Sequence, residues 1–433
     1  MKKAIILLSA LIIWSCANKE EKQKPIFHID LKNTIDQAIA DAPIIIKKAE
    51  FTGLKIDILP NTTPVFKDNN GSIIPFQTDD LNGDGNWDEY ALVADFSANE
   101  TKTLEVVLYG NDTLPIFKSS TNVHLGRKAD KTTPVEPVKY AKIYKDQLTP
   151  YQANQIDGPG WENSLVGYRL YFDGRNMRDV FGKQQPAVIL PEVGLSEDGN
   201  PVDNYHALED WGRDVLSVGN SLGAGGLAFY EDGTLTRLGL TRPETIDNVD
   251  SSEYILINTG PIRAIFDVNY YGWDTPIGKL NVHNRISIWK GRYGYMNETT
   301  VTGFEGKETI VTGLVNSNND QPITEKQVGD LQLLATHDKQ TYDKEYFLGL
   351  ALAVPNKIFQ GWEDAPETGK VNTTRFAKLN VSADAPFTYY VFSGWELQDT
   401  GFTQKDYFME KIDAELVRIQ NPIEVSGGMK ENL

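Results

Sequence analysis

Short runs of β-branched and aromatic residues, broken by Asn, Gly, Asp and Pro, organise this chain from the first fifty residues onward. APIIIKKAEF, GLKIDIL, YALVADF and KTLEVVLY have the length and composition of strands. The turn residues between them suit a small antiparallel sandwich. IDQAIADA at 35–42 reads as one short helix. This first unit is expected over residues 28–130, and the charged, proline-bearing NVHLGRKADKTTPVEPVK that follows its last strands reads as a linker. The strand rhythm resumes at 138 and continues to about 425, in SLVGYRLYF, SEYILI, IRAIFDVNYY, KLNVHNRISIW, GYMNETTVTGF, EYFLGLALAV, RFAKLNV and FTYYVFSGW. Two helices are expected there, a short one around Tyr205–Asp214 and a longer one around Gln404–Gln420. The longer one carries Phe408, Ile412, Leu416 and Ile419 on one face. A unit with this many long strands exceeds an ordinary immunoglobulin-like sandwich and predicts large curved sheets packed face to face. No short fixed period is present, which argues against a propeller or solenoid.

The N-terminus follows a different pattern. Lys2 and Lys3 precede an apolar run from Ala4 to Trp14, and Ser15 precedes Cys16, the only cysteine. The run is too short to span a bilayer and has the layout of an export signal over 1–16. A lone cysteine at its end resembles a bacterial lipobox. Cys16 is therefore expected to be lipidated, with residues 17–27 as a charged tether and an outer-membrane lipoprotein facing the periplasm or the cell exterior. That leaves no thiol for a disulfide or for cysteine chemistry. The net charge of −18 is offset by no Lys/Arg cluster, so nucleic acid is a poor candidate partner.

The densest chemistry lies in DGPGWENSLVGYRLYFDGRNMRDVFGK and YHALEDWGRDVLSVGNSLGAGGLAFY, within 157–230. Aromatic faces stack on sugar rings, and Arg forks hold carboxylates or sulfates, so this mixture predicts an anionic oligosaccharide ligand. Strand alternation in GYRLYFDGR places Arg169, Tyr171 and Asp173 on one face and Tyr168, Leu170 and Phe172 on the other. Trp161 and Glu162 precede this strand, and Arg175 follows it. A solvated Arg–Asp pair is the bland alternative for the polar face. Of the five histidines, His206 enters the acidic, Trp211-containing segment, and His283 alternates with Arg285 on one strand face. His28 and His124 are expected to be structural. DLNGDGNWDE repeats oxygen donors at Asp80, Asn82, Asp84 and Asp88 with the spacing of a calcium loop, but the twelfth position is Ala91 where such a loop has Glu. A calcium there would be structural; without it the segment is an acidic hairpin turn. SLGAGG lacks the Lys-Ser/Thr of a phosphate loop, and no zinc or serine-hydrolase motif is present.

WENSLVGYRLYFDGR, YHALEDWGRDVLSVGNSLGAGG and DLNGDGNWDE together resemble a family of Bacteroidota polysaccharide-utilisation lipoproteins long classed as a domain of unknown function. At least one such protein is similar to a dehydratase acting on ulvan oligosaccharides. The large unit also resembles the galactose-mutarotase-like supersandwich. The resemblance implies a mainly β chain, a small N-terminal β-sandwich followed by an antiparallel β-supersandwich over 138–425. It also implies a carbon–oxygen lyase that removes water from a terminal uronic acid. No residue roles come with it, so the expected site rests on chemistry. Arg169 or Arg285 would neutralise the substrate carboxylate, and His206 or His283 would take the C5 proton. Tyr171, Tyr205 or Glu162 would protonate the leaving group. Trp161 and Trp211 would stack the sugars, with Arg175 and Asp173 alongside. A polysaccharide lyase, an epimerase, a hydrolase pairing Glu162 with Asp210 or Asp214, and a non-catalytic glycan-binding lipoprotein remain open alternatives.

Overall fold

The computed structural model describes residues 27–145 and 151–428; the export signal with Cys16, and the tether as far as residue 26, lie outside them. The described chain is mainly β, with six antiparallel sheets and two α-helices.

A nine-stranded sheet spans the large unit. It runs from Tyr140–Tyr144 at one edge, through Val249–Thr259, Arg263–Thr275, Gly278–Trp289, Gly294–Thr302, Phe387–Trp395, Leu348–Pro355 and Leu331–Asp338, to Thr324–Val328 at the other. One face packs on two five-stranded sheets, and Trp161, Tyr168, Phe229, Phe266, Tyr295 and Leu379 are part of the shared core. The opposite face carries helix Lys405–Gln420, whose Phe408, Ile412 and Leu416 bury against Leu333, Ala351, Ala353 and Phe392. Strand Leu348–Pro355 is therefore covered on both faces, which explains its unbroken apolar run. Small residues let the helical layer come close. A Cβ at Gly349 would lie 2.5 Å from the Phe408 ring, and one at Gly394 would lie 2.6 Å from Phe402.

The N-terminal sandwich has a four-stranded and a three-stranded sheet around Ile29, Leu31, Phe51, Phe66, Tyr90 and Val106. Its four-stranded sheet includes strand Glu424–Gly428, which returns from the far end of the chain to pair with Phe27–Lys32, Leu31 opposite Val425. Buried polar contacts fasten this sandwich to the nine-stranded sheet. Arg263 meets Asp79 at 2.7 Å and Glu89 at 2.6 Å, and Gln77 Oε1 accepts hydrogen bonds from the Ile262 and Arg263 amides.

Several local expectations need correction. Residues 35–42 are not helical; strand Ile39–Lys47 starts there with a bulge between Ile39 and Ala42, and alternate side chains bury. The short helix is Lys48–Gly53, where the Glu50 carboxylate accepts from the Lys47 amide. GLKIDIL forms no strand. Tyr205–Asp214 is a turn ending in strand Gly212–Asp214, because that segment pairs with Arg178–Lys183. At Gly212, with φ 136°, a Cβ would lie 1.8 Å from the Gly182 carbonyl oxygen. The stretch read as a linker is folded, with strands Thr121–His124, Gly126–Lys128 and Val135–Pro137.

Candidate functional site

Strand pairing assembles the centre of the site. Tyr168 and Leu170 enter the core, so Arg169 between them faces the other side of the sheet. Register places Asp179 opposite Arg169, and the next strand brings in Asp214. Arg169 Nη2 then lies 2.8 Å from Asp179 Oδ2, 2.5 Å from Asp214 Oδ2 and 2.5 Å from the Tyr171 hydroxyl. Tyr171 in turn donates to Asp179 Oδ2 at 2.8 Å. The guanidinium is enclosed by the rings of Tyr171, Tyr205 and Phe181, with centroids at 4.3, 5.0 and 5.1 Å. Two buried carboxylates share this one cation. Burial, and then the neighbouring Asp179 charge, raise the Asp214 pKa well above its ordinary value, and the Arg169 guanidinium opposes them.

Beside this centre opens a cleft of about 450 Å³ lined by Arg127, Asn154, Asp157, Phe172, Asp173 and Asp203, among others. Ile156 and Asp157 both have left-handed backbone conformations, φ 45° and 63°. Such a conformation is costly for a β-branched residue and is retained at about 1–3 kcal/mol only where the surroundings impose it. Here Asp157 O accepts from Phe172 N at 2.8 Å, and the turn aims the Asp157 carboxylate at Arg175, 3.1 Å away, and at the Tyr205 hydroxyl, 3.4 Å away. Arg175 also grips Asp173 with two nitrogens and lies 3.9 Å from the Tyr171 ring centroid.

His206, with a 49% exposed side chain, adjoins the cleft through Asp203, a residue of its wall. Its Nε2 is 3.0 Å from Asp203 Oδ1, its Nδ1 is 3.5 Å from Asp214 Oδ2, and its ring packs against Tyr205. The backbone is held by Tyr342, whose hydroxyl donates to the His206 carbonyl at 2.9 Å. Arg127 forms another part of the cleft wall. It donates to Asn154 Oδ1 at 2.5 Å and has no carboxylate within ion-pairing distance among the described residues. Burial lowers its pKa. The sequence reading passed over Arg127 because its charged, proline-bearing surroundings look like a linker. Its strand, Gly126–Lys128, was the missed signal.

His206, Tyr205, Arg169, Tyr171, Arg175 and Asp173 therefore come together. Arg169 and Tyr171 are saturated by Asp179 and Asp214, and Tyr205 is buried, so these three build the floor and do not reach the cleft's solvent. Trp211 packs edge-on against Phe181 beneath that floor. Trp161 is 0% exposed, stacked on Tyr168 and edge-on to Tyr295, which leaves no ring face for a sugar. Glu162 is fully buried, 2.5 Å from Lys183 Nζ, and accepts from the Ile189 and Leu190 amides. It is a structural ion pair, and the Glu162–Asp210 or Glu162–Asp214 hydrolase arrangement loses one of its carboxylates.

His283 and Arg285 do not join the cleft. They lie on the nine-stranded sheet and both meet Asp267, His283 at 3.2 Å and Arg285 at 2.8 Å. Arg285 Nη2 also donates to Leu81 O, so this pair anchors the 80–88 loop. Within that loop Asp80 accepts from the Gly83, Asp84 and Gly85 amides, Asn82 from the Asp84 amide and Asp88 from the Leu81 amide. Among the described residues no three His, Cys, Asp or Glu side chains converge as a metal-binding group. The loop carboxylates are satisfied by their own backbone.

Among known proteins, the chain is 24% identical over 446 residues to the uncharacterized protein P7 of Formosa agariphila, a match covering 98% of this chain and 100% of that one. Its shape is similar to an alpha-mannosidase from Enterococcus faecalis V583, at 10% identity and a TM-score of 0.46, over 94% of this chain and 46% of that one. A glycosyl hydrolase family 38 protein from Enterococcus faecalis aligns over 94% of this chain and 48% of its own, at 10% identity and a TM-score of 0.45. This chain thus spans about half the length of those two structures. Likeness at this level assigns no activity. A sequence profile, in contrast, matches residues 31–425, and the chain belongs to that family, described as a domain of unknown function, DUF4861.

Proposed function

We propose that this protein is an enzyme acting on an anionic oligosaccharide, and that it removes water from a terminal uronic acid in the Arg127–His206 cleft. The observation that carries this reading is the half-exposed imidazole held by Asp203 and Asp214 near a cleft whose wall contains a guanidinium that meets no carboxylate among the described residues. Arg127 receives the sugar carboxylate and stabilises the enolate-like charge that develops on it. The His206 imidazole takes the C5 proton. The C4–C5 double bond forms as the C4–O bond breaks, and the imidazolium returns the proton to the departing hydroxide, which leaves as water. The Tyr171, Tyr205 and Glu162 side chains are buried, so His206 serves as both base and acid. That requires the C5 hydrogen and the C4 oxygen to lie on one face of the ring.

Incubation with uronic-acid-terminated oligosaccharides is expected to raise the ultraviolet absorbance of the new double bond and to remove the mass of one water from an otherwise intact oligomer. His206→Ala is expected to lower kcat by about 10²–10⁴-fold. Normal turnover by that variant would sink the assignment. A shortened product would mark a polysaccharide lyase, and an isomer of unchanged mass an epimerase.

Two accessory features belong to the same reading. A lipid anchor on Cys16 would hold the enzyme at the outer membrane, and metabolic labelling with a fatty acid, lost in Cys16→Ala, tests it. A structural calcium at Asp80, Asn82, Asp84 and Asp88 is supported by donor spacing alone. A chelator-induced fall in Tm, absent from Asp80→Asn, tests it.

A further inference from the structure

A second cleft, of about 490 Å³, lies across the Asp173–Asn176 turn from the first. The turn separates them narrowly. Leu240 N donates to Gly174 O, and a Cβ at Gly239, in the second cleft's wall, would lie 2.5 Å from the Arg175 carbonyl oxygen. The wall is built by the edge strand Thr234–Arg237 together with Thr241, Asn248 and Lys370. It is polar and rich in hydroxyls, as sugar-binding surfaces are.

Arg237 is the anomaly in this wall. The residue is 4% exposed, yet no carboxylate lies within ion-pairing distance of it among the described residues. Nη1 donates to Ser221 O and contacts Met177 Sδ, and buried Nε has no partner. Among the described residues Nη2 takes no hydrogen-bond partner, and Arg237 lines the cleft. The acids in the wall are already neutralised: Glu244 by Lys370 and Thr241, and Asp274 by Lys279 at 3.3 Å. Burial, opposed only in part by Glu244, pulls the Arg237 pKa down to about 10. Beside it, buried Asn176 has neither its amide nitrogen nor its amide oxygen bonded. A desolvated cation without an anion is destabilising by itself, and so is an unpartnered buried amide. Of the two, Arg237 lines the cleft, and a guanidinium buried there without a carboxylate indicates that a ligand supplies the missing anion.

We propose that Arg237 anchors a second subsite that takes a singly charged sugar oxyanion, a carboxylate or a sulfate ester, on another unit of the oligosaccharide bound in the first cleft. The inference rests on the carbohydrate reading above for its ligand class, but its test reads binding and not turnover. Calorimetric titration of the folded chain with sodium glucuronate, glucose 6-sulfate and uncharged glucose separates the sources. Binding of glucuronate that Arg237→Gln weakens and Arg127→Gln leaves intact assigns a carboxylate subsite at Arg237, and the same pattern with glucose 6-sulfate alone a sulfate subsite. Glucose is expected not to bind.

Arg237→Gln is expected to weaken the charged probe by about tenfold or more, the scale of a lost charge-assisted fork. Arg237→Lys, which keeps the charge and protects the fold, is expected to retain part of the affinity. His206→Ala is expected to leave probe binding intact, so loss of the dehydratase reading and loss of this subsite are separable. Failure of both charged probes to bind, equal binding of glucose, or unchanged affinity in Arg237→Gln and Arg237→Lys would overturn the proposal.

Discussion

Arg169 and Arg127 show how differently one side-chain type is used around one cleft. Arg169 is locked between Asp179 and Asp214 and shapes the floor, whereas Arg127 bonds to Asn154 and meets no carboxylate among the described residues. The same contrast separates the histidines. His206→Ala should lower turnover by about 10²–10⁴-fold, while His283→Ala should leave it nearly unchanged, because His283 faces Asp267 at the loop anchor. Kinetics on both variants check this, and equal losses would contradict the placement of the site. Asp247 gives a pH signature. Burial lifts its pKa from 3.8 to about 7. The folded state then holds a proton that the unfolded state releases, so stability falls as pH rises from about 4 to about 7 and the loss is complete above that. Asp247→Asn should remove up to about 4 kcal/mol of that decline, seen as a higher Tm at pH 8 and a flatter profile below it.

At the scale of elements, both the successes and the misses of sequence reading have physical causes. Helix Lys405–Gln420 was legible because Phe408, Ile412 and Leu416 recur at helical spacing and pack on one sheet. The alternation of Tyr168 and Leu170 with Arg169 was legible for the same kind of reason, but the strand ends at Leu170, so the expected alternation through Tyr171, Phe172 and Asp173 gives way to a turn and Tyr171 joins the core. The fate of Trp161 and Glu162 was not. They belong to a strand covered on both sides, where Lys183 and Tyr295 arrive from elsewhere in the chain. Replacing Glu162 by Gln should cost about 3–5 kcal/mol by leaving the Lys183 charge buried and unpaired, measurable by chemical denaturation. Gly349→Ala should destabilise by about 1–3 kcal/mol, since its Cβ would drive into Phe408 and lift the helix from the sheet.

The whole molecule is closed by contacts between distant segments. Strand Glu424–Gly428 completes the N-terminal sandwich, and Asp79 and Glu89 clamp Arg263 of the nine-stranded sheet. Ending the chain at Asn421 should expose the edge of Phe27–Lys32 and lower the Tm of the N-terminal sandwich more than that of the large unit. Proteolysis across the transition checks which unit opens first. By itself the sequence determined the mainly β class, the strand rhythm, the amphipathic helix and the aromatic, Arg-rich segment around which the site is built, because these depend on local periodicity and composition. Tertiary structure alone decided which charges are spent and which are free. Arg169 and Glu162 were drawn inside and neutralised, His283 was turned toward the 80–88 loop, and Arg127 and Arg237 were left facing clefts. Burial and partnership depend on segments far apart in the chain meeting, and no local pattern encodes that.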